Sequence, residues 1–282
     1  MTRVAYLGPE GTNSHEALLI AARATRLACE PVSMGTIYDC VMAVQEGAVE
    51  RAFVPIENAL EGSVNATLDA LAVETDDVAI VGEHVHPIHT CLIAKDSLAL
   101  EEVASVISHP QSIGQCAHFL RTRLPRAAVL AASSTAEAVR RVAEDGGTTA
   151  ALGSRIAAEL YGCEVLCADV DDAAGNETRF VWLARRDAAA TTEGHGPFKT
   201  AVVFWGVGAE APGWLVRCLS EFAFRGVNLT RIESRPRKQG LGRYMFFADL
   251  EGSASDGPVA QGLEALRGHV EHLRVLGSFP AA

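Results

Sequence analysis

Hydroxyl and amide side chains recur where short apolar runs give way to helical patterns. After Val4–Leu7 comes Gly8-Pro9-Glu10-Gly11-Thr12-Asn13-Ser14. Glycines let a backbone approach a ligand closely, and the helix start that follows offers unpaired N–H groups to an anion. The stretch is neither GxGxxG nor a Walker loop, so no nucleotide is indicated, and a purely structural turn fits it equally well. After Ala52–Ile56 come Glu57-Asn58 and then Glu61-Gly62-Ser63. Asn58 and Ser63 therefore sit at the carboxyl end of a strand, where open α/β sheets bind ligands, although an Asn there also caps turns. Ser108-His109-Pro110-Gln111, with Gln115 one turn further on, repeats the pattern, and Ser133-Ser134-Thr135 does so again. Capping explains each junction taken singly. Several facing one cleft would suit a small, oxygen-rich anion. In Gly175–Phe180, the hydroxyl of Thr178 stands beside Arg179, a permanent cation able to grip a carboxylate through two bonds. A solvated loop with an ordinary surface arginine is the alternative there.

Other chemistries lack their parts. His84, His86 and His89 invite a metal reading, with His84 and His86 on one face of a strand, but no Asp, Glu or Cys completes an evident ligand set. The same stretch reads as a strand ended by proline. No GxSxG elbow supports Ser-His-Asp hydrolysis. The seven cysteines have no framework spacing, and Cys163 and Cys167 are four apart, so buried reduced thiols are expected rather than disulfides or zinc. Neither metal nor cofactor is predicted. With 24 Lys and Arg against 35 Asp and Glu, the net charge is −11, and the basic stretch Arg231–Lys238 is too short to reverse it. That balance argues against a nucleic-acid partner. No apolar run nears the ~18 residues that cross a bilayer, and MTRVAYLGPEG lacks a signal peptide's apolar centre. A cytoplasmic protein with no membrane partner is expected.

The elements that would position these residues alternate. Strands are predicted at Val4–Leu7, Ala52–Ile56, Val78–Val81, Val103–Ser108, Thr149–Leu152, Glu164–Ala168 and Phe180–Leu183. Helices are predicted at Ser14–Ala24, Thr36–Gln45, Val64–Leu71, Gln111–Thr122, Thr135–Glu144 and Ser154–Leu160. Such alternation predicts α/β architecture with largely parallel sheets. Residues 187–197 are small, polar and aperiodic, as in a linker. Beyond them the order becomes βαββαβ: strands Lys199–Val207, Leu229–Ser234, Arg243–Leu250 and His272–Leu276, with helices Pro212–Arg225 and Val259–Gly268. Arg237–Gly242 supplies a hairpin, and the whole forms a ferredoxin-like unit. Two domains are predicted, 1–186 and 198–282.

The pieces AYLGPEGT, VPIENALEGSV, SHPQSIGQC, SSTAEA, GNETRF and GVNLTRIESRP stand in this order along nearly all 282 residues. In this the chain resembles bacterial monofunctional prephenate dehydratases. The resemblance implies a catalytic domain of two lobes of periplasmic-binding-protein type (type II). Lobe 1 would span about 1–80 plus 170–186, and lobe 2 about 81–169, with the active site between them. Residues 198–282 look like an ACT module, which in this family binds phenylalanine at an interface between subunits. Homodimers or homotetramers are implied.

The implied reaction of such a carbon–oxygen lyase takes prephenate to phenylpyruvate, losing carbon dioxide and water, with aromaticity as the driving force and no cofactor. Thr178 would be the donor against the departing oxygen, with Asn58, Ser108 and Gln115 as catalytic partners. Gly11, Thr12, Ser63, Ser134, Thr135, Arg179 and Phe180 would bind substrate. Gly213, Trp214, Leu215, Asn228, Leu229, Glu233 and Ser234 would hold the effector. The family's Gly-Ala-Leu reads Gly213-Trp214-Leu215 here. An indole turned into the effector pocket would weaken inhibition, whereas one turned to the subunit interface would leave it intact; weakened inhibition is expected. Asn13-Ser14 and Ala59 also depart from the family. Arogenate as substrate, a prephenate decarboxylase-type relative, or a non-catalytic amino-acid sensor are the alternatives.

Overall fold

The computed structural model describes residues 1–189, 197–206, 208 and 211–282. The strands are β1 (Thr2–Leu7), β2 (Cys29–Met34), β3 (Arg51–Asn58), β4 (Gly62–Ser63), β5 (Val78–Pro87), β6 (Cys91–Ala94), β7 (Ser105–Ser108), β8 (Ala128–Ala131), β9 (Thr149–Gly153), β10 (Glu164–Cys167), β11 (Glu177–Arg185), β12 (Phe198–Trp205), β13 (Leu229–Pro236), β14 (Tyr244–Glu251) and β15 (His272–Pro280). The helices are α1 (Asn13–Ala24), α2 (Ile37–Gln45), α3 (Asn65–Asp69), α4 (Pro110–Gln115), α5 (Ala117–Arg123), α6 (Thr135–Asp145), α7 (Arg155–Tyr161), α8 (Arg186–Ala189), α9 (Trp214–Ala223) and α10 (Gly257–Arg267). A π-helical turn, Ala70–Glu74, follows α3. Among the described residues, no helix is long and apolar enough to cross a membrane.

Three sheets result, ordered β2-β1-β3-β11-β5 (with β4 on β3), β10-β6-β9-β7-β8 and β13-β14-β12-β15. The chain divides into two compact units. The first comprises Met1–Cys40, Phe53–Val64 and Val85–Phe180, and the second Val41–Ala52, Asn65–His84 and Val181–Ala282.

In the first unit, β1 pairs with β2 in parallel, and β7 pairs in parallel with both β8 and β9. β6 runs antiparallel to β9 and β10, so its sheet is mixed rather than largely parallel as expected. β6 went unpredicted because Cys-Leu-Ile-Ala is a short run buried throughout, with no alternation to betray it. The predicted helix Gln111–Thr122 is broken at Cys116, where φ is −115° and ψ 18°.

In the second unit, 198–282 forms an antiparallel βαββαβ arrangement. Phe204, Trp214, Cys218, Phe222, Ala248, Leu250 and Leu266 fill the core between α9, α10 and the sheet. Residues 65–84 pack on the same unit. Arg235 donates to both Asp69 oxygens at 2.9 and 3.0 Å, Lys199 pairs with Glu83 at 2.7 Å, and a side chain at Gly277 would collide with the Ile80 carbonyl. Burial alone would raise the Asp69 carboxyl, but hydrogen bonds from Arg235 and Lys238 outweigh it and hold the group below its ordinary range. Of the predicted linker 187–197, residues up to 189 extend α8, and 190–196 lie outside the described residues, as does Val207 of the predicted strand Lys199–Val207.

Candidate active site

A cleft of about 410 Å³ opens in the first unit, lined by strand ends and helix starts. Leu7 and Gly8 close β1, Thr12-Asn13-Ser14 open α1, and Ser134-Thr135 open α6. Gly8 gives Ser33 Oγ its room there, since a Cβ would displace that hydroxyl. Asn58 stands at the end of β3, His109 caps α4, which carries Gln111 and Gln115, and Asn176 immediately precedes β11, which carries Thr178 and Phe180. Among the described residues, no Lys or Arg lines the cleft.

Amides orient its central hydroxyl. Asn58 Nδ2 donates to Thr178 Oγ1 and to Asn176 Oδ1, each at 2.9 Å, while Asn58 Oδ1 accepts from Leu60 N and Glu61 N at 2.9 Å. Asn176 Nδ2 donates to Gln115 Oε1 at 3.4 Å, and Gln115 Nε2 to Glu61 Oε1 at 3.2 Å. The backbone bonds fix the flip of Asn58, so its NH₂ group must face Thr178. A lone pair of the Thr178 oxygen is thereby occupied. Among the described residues its proton has no acceptor, leaving it free for a ligand. Thr178 and Asn176 are both buried, at 8% and 5% exposure.

The helix starts supply the remaining polarity. Thr12 Oγ1 caps the His15 N–H at 3.3 Å, and Ser134 Oγ caps Glu137 N at 3.0 Å. The other first-turn N–H groups of α1 and α6 have no helical acceptors, and anions are stabilised at such termini. The turn before α1 is braced from two sides. Gly11 N donates to His15 Nδ1 at 3.2 Å, and Ser154 Oγ donates to Gly11 O at 2.7 Å. His15 stacks on Tyr6 at 5.0 Å, and burial pushes its imidazole below the ordinary value, keeping it neutral as an acceptor.

Of the residues predicted from sequence, Thr12, Asn58, Gln115, Ser134, Thr135, Thr178 and Phe180 line the cleft. Four do not. Ser108 is fully buried and donates to Leu152 O at 2.8 Å, its neighbour His109 facing the cleft instead. Arg179 points to the opposite face of β11 from Thr178 and Phe180, as strand alternation requires, and its Nε and Nη2 hold Glu57 at 3.0 Å. Ser63 pairs β4 with Glu57 of β3, and Gly11 supports the turn from beneath. Sequence reading missed Asn176, His109 and Asn13 as lining residues. Asn176 carried a readable signal, since it precedes Thr178 by two residues and so shares its face. Among the described residues, no three His, Cys, Asp or Glu side chains converge as a metal site.

The predicted effector residues lie in the second unit. Gly213 caps α9 with φ 77° and ψ 4°, and Asn228 precedes β13, which carries Leu229, Glu233 and Ser234 as an edge strand. Leu215 packs against the module's core. Trp214 turns inward within its own module. Its indole is 4% exposed inside that core, 6.2 Å from Phe204 and 5.8 Å from Phe246, and donates to His269 O at 2.9 Å.

Fold and site together define an α/β protein with a cation-free cleft of amides, hydroxyls and helix starts, suited to a small anion. Residues 4–188 match the family model for prephenate dehydratase. Over 283 residues, the chain is 39% identical to a prephenate dehydratase of Amycolatopsis methanolica, spanning all of this chain and 90% of that one. A solved prephenate dehydratase from Arthrobacter aurescens in complex with L-Phe superposes with a TM-score of 0.88 at 35% identity, covering 99% of this chain and 90% of that one. A structure named as a novel type of quorum quenching acylase superposes at 0.85 and 30% identity, covering 99% and 98%. The chain belongs to the prephenate dehydratase family, whose members are lyases.

Proposed function

We propose that the protein converts prephenate to phenylpyruvate in phenylalanine biosynthesis, and that the Thr178 hydroxyl, its lone pair held by Asn58, is the observation that carries this reading. As the ring carboxylate departs as carbon dioxide, its bonding pair enters the ring. The C4–O bond breaks, hydroxide leaves, and one proton from solvent completes water. Charge grows on the C4 oxygen in the transition state, and the Thr178 proton is available to meet it. A threonine hydroxyl is a poor acid, so hydrogen-bond stabilisation or relay fits better than full proton transfer. The carboxylates of prephenate would meet first-turn N–H groups of α1 and α6 rather than Arg179.

Acyl transfer, suggested by the acylase likeness, fits the geometry less well. Among the described residues, no hydroxyl lining the cleft is hydrogen-bonded to a His, Asp or Glu that could activate it. Residues 1–186 would form the two-lobed, periplasmic-binding-protein-like catalytic domain and 198–282 an ACT module. The βαββαβ order and the sheet order β13-β14-β12-β15 support the latter. The edge strand β13 and exposed Val216, Phe224 and Ile232 favour association through this module into a homodimer or homotetramer, with phenylalanine bound at that interface. Action in the cytoplasm accords with such a biosynthetic role.

The test is incubation of the purified protein with prephenate and, separately, arogenate. Phenylpyruvate, read by its absorbance in alkali, is expected from prephenate. Turnover of arogenate alone would redirect the substrate assignment, and turnover of neither would overturn the reading.

A further inference from the structure

A second cavity, of about 480 Å³, lies in the second unit, away from every residue of the cleft. Trp205 at the end of β12, Leu273 and Arg274 on β15 and Met245 on β14 form its sheet side, and Ala72 and Val73 of the π-helical turn face them. Its volume is that of a small-molecule site, which needs apolar walls and a few converging polar groups.

The polar groups here are donors and cations in excess. Arg237 lies over the Trp205 ring at 5.1 Å, and His272 stacks on that ring at 4.7 Å. Trp205 Nε1 and Arg274 Nε are sealed from water, and neither has a hydrogen-bond partner among the described residues. Two orphaned donors on neighbouring side chains are unusual, because a buried unmade hydrogen bond costs about 1–3 kcal/mol. The Arg274 charge is poorly compensated as well. Its Nη2 donates to Leu71 O, and its Nη1 stands 3.7 Å from Asp76, whose side chain is fully exposed. Burial, and then the nearby Arg186 guanidinium, push its proton affinity down. Among the described residues lining the cavity, Asp76 is the one acid, against the guanidinium groups of Arg237 and Arg274. What is missing is an anionic acceptor with an apolar body to lie against Val73, Met245 and Leu273.

We propose that this cavity binds a small organic monocarboxylate, its carboxylate received by Arg274 and the Trp205 indole N–H after a small side-chain rotation, and its apolar body enclosed by Val73, Met245 and Leu273. The site is separate from the Thr178 cleft, and the inference stands whether or not prephenate is the substrate.

Isothermal titration of the full chain with benzoate tests it, with acetate and inorganic phosphate as comparisons. Benzoate is expected to bind one per chain, at least tenfold more tightly than acetate or phosphate, because only benzoate fills the apolar part. Arg274→Met should weaken benzoate at least tenfold. Trp205→Phe, which keeps the ring beneath Arg237 but removes the N–H, should weaken it about five- to tenfold. Thermal melts establish that each variant is folded. Should Arg274→Met fail to fold, Trp205→Phe and Arg274→Lys carry the test, the latter keeping charge but losing the Nε donor. Absence of benzoate binding would overturn the proposal. So would binding that survives these substitutions unchanged, or that is abolished by Gln115→Ala and therefore resides in the cleft.

Discussion

Asn176 does for Asn58 what Asn58 does for Thr178. Its Oδ1 accepts one Asn58 N–H and its Nδ2 reaches Gln115, so both amides are held by one buried side chain. Asn176→Ala should lower kcat about tenfold or more with a smaller change in KM, because it loosens the donor geometry rather than a ground-state contact. Steady-state kinetics that show a raised KM and intact kcat would remove that role. A second prediction concerns His15. Its folded-state pKa lies below the ordinary value near 6.5, so the unfolded chain binds the extra proton first. Stability should therefore fall as pH drops below about 6.5 and hold above it. The loss of melting temperature between pH 7 and 5.5 should be smaller in His15→Gln, and an identical loss would contradict the assignment. At this scale the sequence was a good guide to residue type and a poor one to direction. Thr178 and Asn58 lie in the cleft as their positions suggest, whereas Arg179, next to Thr178 in a strand, falls by alternation on the other face and pairs with Glu57.

Elements hold these residues through their ends. α7 begins at Ser154, whose Oγ accepts from Ala157 N at 3.3 Å and donates to Gly11 O. One buried hydroxyl thus caps a helix and braces the turn that opens α1. Ser154→Ala should cost about 1–2 kcal/mol of stability and raise KM, because Thr12 and Asn13 lose their support. Denaturant titration checks the first effect and kinetics the second; unchanged values for both would show the turn to be self-supporting. Helix starts were legible from Ser and Thr caps, and most long strands from their apolar runs. The missed strands share physical causes. β2 contains a proline, tolerated because the strand lies at a sheet edge, and all four residues of the edge strand β8 are exposed. β6 is buried on both faces, which erases the alternation that sequence reading depends on.

At the scale of the whole molecule, the 198–282 module is joined to residues 65–84 of the same unit. Arg235 of β13 and Lys238 beyond it both hold Asp69, on the helix that follows the Asn58–Ser63 segment. Two cations of the basic stretch Arg231–Lys238 are in this way paired with a carboxylate of the same unit. Because Trp214 packs inside its own module, phenylalanine inhibition is expected to persist rather than weaken, contrary to the expectation from an indole placed in the pocket. Trp214→Ala should cost about 3–5 kcal/mol through the cavity it leaves. A phenylalanine titration that leaves the wild type uninhibited would contradict that expectation. The βαββαβ order was fully legible in the sequence. The bonds from 198–282 to residues 65–84 were not, since they join residues far apart in the chain.

The measurement that bears most directly on the central claim is the steady-state turnover of prephenate by Thr178→Ala and Thr178→Ser beside the wild type. If the Asn58-held hydroxyl stabilises the departing oxygen, Thr178→Ala loses roughly 10²-fold or more in kcat with KM little changed, and Thr178→Ser keeps part of the rate. A Thr178→Ala enzyme that turns over near the wild-type rate would contradict it.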